Sequence, residues 1–390
     1  MISKGLIAVV SLLIAFALPT DAIAENVIFI HPDGTSQGHF TAARLLFYGP
    51  DGMLNWDKLP NVAVTKNHIA NRLTACSVSG AVAHAAGVKT NSGYYGLDVN
   101  KKPLRTVMED ARDAGRVVGL INTGCITEPG TGVFVASVES RDDREEIASQ
   151  ILHAGVHVIM GGGEKWFLPE GVEGRHGRGS RGDGRNLIEE ARALGYTIVY
   201  DKRELLALPS GTEKLLGLFA DGNIYSIFPP RTYKENAPSL AQMVEVALEI
   251  LYGHGREGDA SAGFLLVVEE EGTDDFSNMN HERHMIAAAK RADDAIGVAL
   301  EFAKNNPNTL LITASDSVAG SPQIARSRHR QKFTTPDGME FSVIWAGLED
   351  YGSGTITRAY GKYSELIRGT IDNTFINKVI RKALGLEIGE

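Results

Sequence analysis

Short, continuous apolar runs recur along the chain, and each ends in polar or glycine-rich residues. Val27-Ile28-Phe29-Ile30 leads into Pro32-Asp33-Gly34. Comparable runs predict strands over 116–122, 156–160, 197–200, 215–220, 264–268, 309–313 and 341–346, with a short strand over 61–64. Between them lie segments that predict helices over 40–48, 104–114, 144–153, 186–194, 239–252, 282–305 and 372–384. Uninterrupted apolar strands that alternate with helices predict a mostly parallel sheet covered on both faces. The expected fold class is therefore α/β, a three-layer α/β/α arrangement. No internal repeat or low-complexity linker divides it, so one domain over 25–390 with loop insertions is the simplest organisation. The Gly- and Arg-rich stretch 171–185 reads as a solvated loop, and the basic stretch 326–337 as loop-like.

The first 24 residues have a different pattern. Lys4 precedes an apolar run from Leu6 to Leu18, and Ala22-Ile23-Ala24 is a small-x-small site. This predicts a secretory signal cleaved after Ala24 and an exported protein, secreted or periplasmic. The run is short for a membrane span, and no later segment approaches one.

Composition narrows the function classes. The chain has 390 residues, 43% hydrophobic and 22% charged, enough for a large core. Its net charge of −9 argues against a nucleic-acid partner. An anionic substrate would then need local positive charge or metal ions. Two cysteines, Cys76 and Cys125, would either pair in an oxidising compartment or remain separate buried thiols.

Chemistry concentrates in two places. The stretch 73–91 carries a hydroxyl, Ser77, at the start of a helix of small residues, closed by Gly87-Val88-Lys89-Thr90. A helix N-terminus offers free N–H groups to an anion, and small residues permit close approach. Such residues also serve plain tight packing. Separately, three buried strands end in carboxylates: Asp33, the run from Glu269 to Asp275, and Asp316. Parallel strands deliver these ends to one edge of the sheet. Acids gathered there repel one another unless divalent cations lie between them.

In order and spacing these residues resemble the alkaline phosphatase family, from about Asn26 to Gly385. The resemblance rests on Asn26-Val27-Ile28-Phe29-Ile30 before Asp33-Gly34, then Thr41-Ala42-Ala43-Arg44, and Ser77 with Gly87-Val88-Lys89-Thr90. It continues through Arg141, Val268-Glu269 with Asp274 and Asn278 at the family's spacing, Thr313-Ala314-Ser315-Asp316-Ser317, and Gly369-Thr370-Ile371-Asp372-Asn373-Thr374. It implies a nucleophilic Ser77 that becomes a phosphoserine, and an Arg141 that grips two phosphate oxygens, a fork-like task for which arginine is suited. It also implies Asp33 as a carboxylate shared by two metals, Glu269 as a magnesium ligand, Asp274 as a ligand of a first zinc, and Asp316 in the second-zinc segment.

The departures from the family are informative. Its three zinc-binding histidines are replaced. Asn278 stands at the first. At the second, Asp316 stands in the histidine's place if no gap is introduced, with Ser315 for the aspartate. With one inserted residue, Asp316 is the aspartate and Ser317 the substitute. Asp350 falls at the third, or is an exposed turn residue. Cys76 replaces the aspartate that precedes the nucleophile and steadies the arginine. The family's magnesium-binding threonine aligns with Gly130, and Thr131 is next to it. Oxygen donors in place of imidazoles suit Mg²⁺, Ca²⁺ or Mn²⁺ better than Zn²⁺, although family resemblance implies zinc. His281, His284 and His329 lie near enough in sequence to offer a replacement imidazole, or are surface histidines. The expected activity is metal-dependent hydrolysis of a small phosphate monoester. Phosphodiester or sulfate-ester hydrolysis, or phosphate and metal binding without turnover, are the rival readings. No nucleic acid or membrane partner is expected, and a homodimer follows only by family analogy.

Overall fold

A computed structural model describes residues 24–228, 233–254, 263–326 and 331–388. Strands β1 (Asn26–Pro32), β2 (Asn61–Lys66), β3 (Val117–Cys125), β4 (Val158–Gly162), β5 (Thr197–Val199), β6 (Leu215–Leu218), β7 (Phe264–Glu270), β8 (Thr309–Thr313), β9 (Gln323–Ala325), β10 (Phe333–Thr334), β11 (Glu340–Ile344), β12 (Thr355–Gly361) and β13 (Gly369–Asp372) form two sheets. The large one has the order β13-β2-β12-β8-β1-β7-β3-β4-β6-β5, and β10-β11-β9 form the small one. Among the described strands of the large sheet, only β12 runs antiparallel to its neighbours. The mostly parallel α/β expectation holds.

The continuous apolar runs are explained by burial on both faces. Side chains alternate along a strand. Val27, Phe29, Leu120 and Val267 enter one core with the helices Ser77–Ala86, Val107–Asp113 and Thr374–Leu384. Ile28, Ile30, Ile121 and Val268 enter the other with the helices Gln37–Tyr48, Leu240–His254 and Glu282–Asn305. Each such aliphatic side chain contributes about 1.5–3 kcal/mol when removed from water. Thr106 sets one helix start two residues beyond Leu104: its Oγ1 accepts from Glu109 N–H at 3.2 Å while Glu109 Oε2 accepts from Thr106 N–H at 2.9 Å.

Strands β12 and β13 are not predicted by the apolar pattern. On β12 the buried positions are Thr355, Thr357 and Ala359, which alternate with half-buried residues. Strand β10 lies inside the stretch expected to be loop-like. The stretch 171–185 is irregular, as expected, but not wholly solvated. Arg181 is fully buried, and its Nη1 donates to the carbonyls of Glu145 and Trp166 at 2.7 and 2.9 Å. The closing segment is tied to the Gly-Val-Lys-Thr turn by Lys89, whose Nζ reaches Asp372 at 3.0 Å and Asn373 at 2.7 Å.

The secretory signal expected over 1–24 lies outside the described residues except for Ala24, which is buried and donates its N–H to Ala383 at 2.8 Å. No described helix is long and apolar enough to cross a membrane. Cys76 and Cys125 are both free thiols. Burial pushes the Cys125 thiol up to about 12.

Candidate active site

The C-terminal ends of β1, β7 and β8 lie side by side, so Asp33, Glu269 and Asp316 meet at one edge of the sheet. All three are fully buried. The charge of Asp316 acts on Asp33, and Gly34 N–H donates to Asp316 Oδ1 at 3.3 Å. Gly34 is required at this turn. Its φ is +63°, and a Cβ there would lie 2.5 Å from Asp274 Oδ1. The turn after β1 is thereby pressed against Asp274.

The floor of the cluster is built on strands. His31, Glu269 and Asn122 are neighbours in register on β1, β7 and β3. Asn122 Nδ2 donates to Glu269 Oε2 and, at 2.9 Å, to Thr131 Oγ1. Thr131 thus reaches Glu269 through Asn122. Gly130 lies directly over Glu269, where a Cβ would stand 1.9 Å from Oε1. This explains why a glycine occupies the position at which the family resemblance implies a threonine: the Glu269 carboxylate fills that space.

The rim comes from loops. Asn278 ends the helix Gly272–Ser277, and its Nδ2 donates to Asp274 Oδ2 at 2.9 Å. Asp350 is held beside β8's exit by backbone pairing with Ala319, and it interacts with Ser317 and the charge of Asp316. It is not an exposed turn residue. Ser315 is engaged elsewhere, accepting from Thr35 N–H at 2.7 Å and donating to the Ser317 carbonyl at 3.0 Å.

Burial and mutual repulsion dominate the electrostatics. Desolvation first, then neighbouring carboxylates, raise Asp33, Glu271 and Asp274 well above the usual carboxylate range. Glu269 rises to about 7 and Asp350 to about 6, with burial the largest cause in each. Asp316 goes the other way. Burial opposes its ionisation, but His31, with Nε2 3.1 Å from Oδ1, holds it below the usual range.

The buried oxygens also lack partners. Both oxygens of Asp33, Glu269 Oε1, Asp274 Oδ1, Asp316 Oδ2, Asn278 Oδ1, Ser317 Oγ and Asp350 Oδ1 make no hydrogen bond. Buried polar atoms are normally paired. A set of converging, unpartnered oxygens fits divalent cations, whose ligands are oxygens of this kind.

Ser77 is buried and begins the helix Ser77–Ala86. One turn on, Gly80 packs on Asp316 so tightly that a Cβ would lie 2.5 Å from the aspartate's own Cβ. The first turn of this helix therefore rests on the acid cluster. Cys76 is the N-cap residue, with Sγ 3.2 Å from Ser79 Oγ. Arg141 finds its carboxylate elsewhere: Nη2 reaches Glu128 Oε2 at 2.5 Å, while Arg144 Nη1 holds Oε1 at 2.7 Å. Burial opposes ionisation of Glu128, but the two guanidiniums hold it below the usual range. Arg141, Arg144, Glu128 and Asp275 line a cavity of about 360 Å³ together with Lys165 and Trp166.

Four residues that the sequence reading did not single out belong to this region: Glu128, Asn122, His31 and His84. Asn122 and His31 carried a signal, since each is a polar residue at the end of a buried apolar strand. Glu128 lay in a Gly/Thr/Pro loop with nothing to mark it. The candidate replacement imidazoles take other places. His281 is the N-cap of the helix Glu282–Asn305, and His284 packs on Phe276 with ring centroids 5.0 Å apart. His329 lies outside the described residues.

The comparisons with known proteins agree with this geometry. The family description alkaline phosphatase matches residues 24–334. The alkaline phosphatase of Escherichia coli K12 is 28% identical over 94% of this chain and 88% of its own length. The repressible alkaline phosphatase of Saccharomyces cerevisiae is 32% identical over 76% of this chain and 55% of its own length. Among solved structures, the alkaline phosphatase of the Antarctic bacterium TAB5 superposes with a TM-score of 0.80 at 22% identity, covering 94% of this chain and 100% of that one. The Thermus thermophilus alkaline phosphatase gives 0.80 at 23%, covering 94% and 92%. At these identities the superpositions establish the fold, and the match over residues 24–334 establishes the kinship: the chain belongs to the alkaline phosphatase family of hydrolases.

Proposed function

We propose that the chain is an exported, metal-dependent phosphomonoester hydrolase that works through a phosphoserine at Ser77. The observation that carries this reading is the convergence of unpartnered buried oxygens from Asp33, Glu269, Asp274, Asn278, Asp316, Ser317 and Asp350 beside the helix that Ser77 begins. Divalent cations held there would lower the pKa of the Ser77 hydroxyl and neutralise charge on the leaving oxygen. Asp33 and Asp316 would be among the residues that hold them. Glu269, with Asn122 and Thr131 behind it, would hold the innermost one. Asp274, Asn278 and Asp350 would hold the outermost.

The remaining work belongs to the protein. The N-terminal N–H groups of Ser77–Ala86 favour an anion placed at Ser77. Arg141 orients the phosphoryl group, and the contact with Glu128 uses one of its three guanidinium nitrogens. Fixing the guanidinium in advance lowers the orientational cost of reaction. Ser77 Oγ attacks phosphorus in line and the ester oxygen leaves. Water then cleaves the phosphoserine and restores the hydroxyl.

The test is Ser77→Ala on an aryl phosphate. Its kcat should fall by about 10⁴-fold or more, and no acid-stable phosphoenzyme should be trapped. Retention of full activity would remove Ser77 from the mechanism. The replacement of the aspartate before the nucleophile by Cys76 keeps a second reading in view, a preference for phosphodiesters or sulfate esters. Relative rates on aryl phosphate, aryl phosphodiester and aryl sulfate decide it, and a clear monoester preference excludes it.

A further inference from the structure

His31 is an imidazole in an unusual place. It follows four apolar residues on β1, is fully buried, and points to the same face as Phe29, toward the helix Ser77–Ala86. Neither ring nitrogen makes a hydrogen bond. Nε2 approaches Asp316 Oδ1 to 3.1 Å, but out of line for one. His84, from the nucleophile's helix, stands edge-on to His31 with ring centroids 5.5 Å apart, and its own nitrogens are also unpartnered. Burying an imidazole whose close polar neighbour is an out-of-line carboxylate, with no hydrogen bond at either nitrogen, costs free energy. It is not explained by apolar packing, which a Phe or Leu would serve better.

The ring is next to two acids with the same deficit. One ligand atom each of His31, Asp33 and Glu269 lie within 4.8 Å of one another, and all three residues are buried. Donors at about 2.0–2.2 Å from a common ion lie at most about 4.4 Å apart, so small side-chain rotations close the set. Strand pairing already fixes two of the three, because His31 and Glu269 are in register on β1 and β7.

We propose that His31 is a nitrogen ligand of the innermost cation, shared with Asp33 and Glu269. This inference rests on the metal-dependent reading above and deepens it. It reverses the donor pattern that family resemblance implies. There, imidazoles belong to the outer ions and the ion at Glu269 takes oxygens. Here the outer set, Asp274, Asn278 and Asp350, is all oxygen, and the inner set has gained an imidazole. Imidazole favours zinc-like ions, whereas oxygen-only sets favour Mg²⁺, Ca²⁺ or Mn²⁺. The inner site therefore prefers the softer ion and the outer site the harder one. His84 packs edge-on against the His31 ring and positions it.

The experiment uses the full chain, stripped by chelation and reloaded with excess Mn²⁺ until every site is filled, with electron spin-echo modulation as the readout. The wild type should show imidazole ¹⁴N coupling to Mn²⁺. His31→Gln should lose it, and His84→Phe should keep it. In parallel, His31→Gln should weaken one equivalent of Zn²⁺ by at least about 100-fold, beyond the about 10–100-fold typical of losing an outer partner. Mn²⁺ filling every site of the wild type without nitrogen coupling overturns the inference and leaves the hydrolase reading standing. This result would make His31 only an ion-pair partner of Asp316, and it needs no variant to fold. Nitrogen coupling that His84→Phe abolishes and His31→Gln keeps also overturns it. A wild type that binds no Mn²⁺ at neutral pH defeats the metal-dependent reading itself, and this inference with it.

Discussion

The floor and the rim of the acid cluster are made of the same elements of chemistry but held in different ways. On the floor, His31, Glu269 and Asn122 are strand residues whose neighbours are set by parallel pairing. On the rim, Asn278 terminates a short helix, and Ser317 and Asp350 are brought together by loops. A floor residue can move only if the sheet moves. A rim residue can shift with its loop. Substitutions at the floor should therefore cost more than comparable ones at the rim.

Gly130→Ala is the sharpest test of the floor. The added methyl would stand 1.9 Å from Glu269 Oε1, so the Glu269 carboxylate must swing away from Asn122 and out of the cluster. Displacing a catalytic group by about 1 Å can cost about 10²-fold, so kcat/KM should fall by at least that, with a loss of about 1–3 kcal/mol in stability from overpacking. Near-normal activity would show that the floor is not rigid.

Glu128→Gln probes the hold on the two arginines. It removes the charge that holds both Arg141 and Arg144. We expect kcat/KM to fall by a few tens of fold, about 2 kcal/mol, within the range for hydrogen bonds to charged groups. Inhibition by inorganic phosphate should weaken in step. A loss confined to stability would mean that Glu128 is only a strut.

Asp350→Asn keeps an oxygen and loses only the charge, so it should be milder, about 10-fold in affinity for the outer cation, with little change at the inner one. If it equals Gly130→Ala in effect, the distinction between floor and rim fails.

The smallest effect concerns pH. Glu269, raised to about 7, and Asp350, raised to about 6, bind protons more tightly in the folded than in the unfolded chain. Their contribution to the stability of metal-free protein is complete below the unfolded carboxylate values. It is lost as pH rises through about 6 to 7. The melting temperature in chelator should fall between pH 5 and pH 8, and saturating Mg²⁺ should remove that fall. Equal melting temperatures in chelator at both pH values would contradict this.

Local pattern was a good guide where one force acts alone. The helix Glu282–Asn305 and the strand Thr309–Thr313 fall on the predicted bounds, because length and apolar continuity leave little choice. Strand β12 was missed because threonine and alanine fill its buried side, and no apolar run marks it. In the site, Asp33, Glu269, Asp274 and Asp316 were legible as acids just beyond buried strands. Glu128 was not, because its role is defined by two arginines 13 and 16 residues further along the chain.

What the amino-acid sequence determined by itself is the layered α/β architecture, the strand ends that carry acids, and the family. Burial on both faces imposes an apolar continuity that can be read one segment at a time. Only the tertiary structure decided which acids share a neighbour, that Glu128 holds Arg141, and that His31 lies beside Asp33 and Glu269 with neither nitrogen hydrogen-bonded. Those facts depend on register between strands remote in sequence and on the burial that leaves a polar atom without water, and neither is a property of any single stretch.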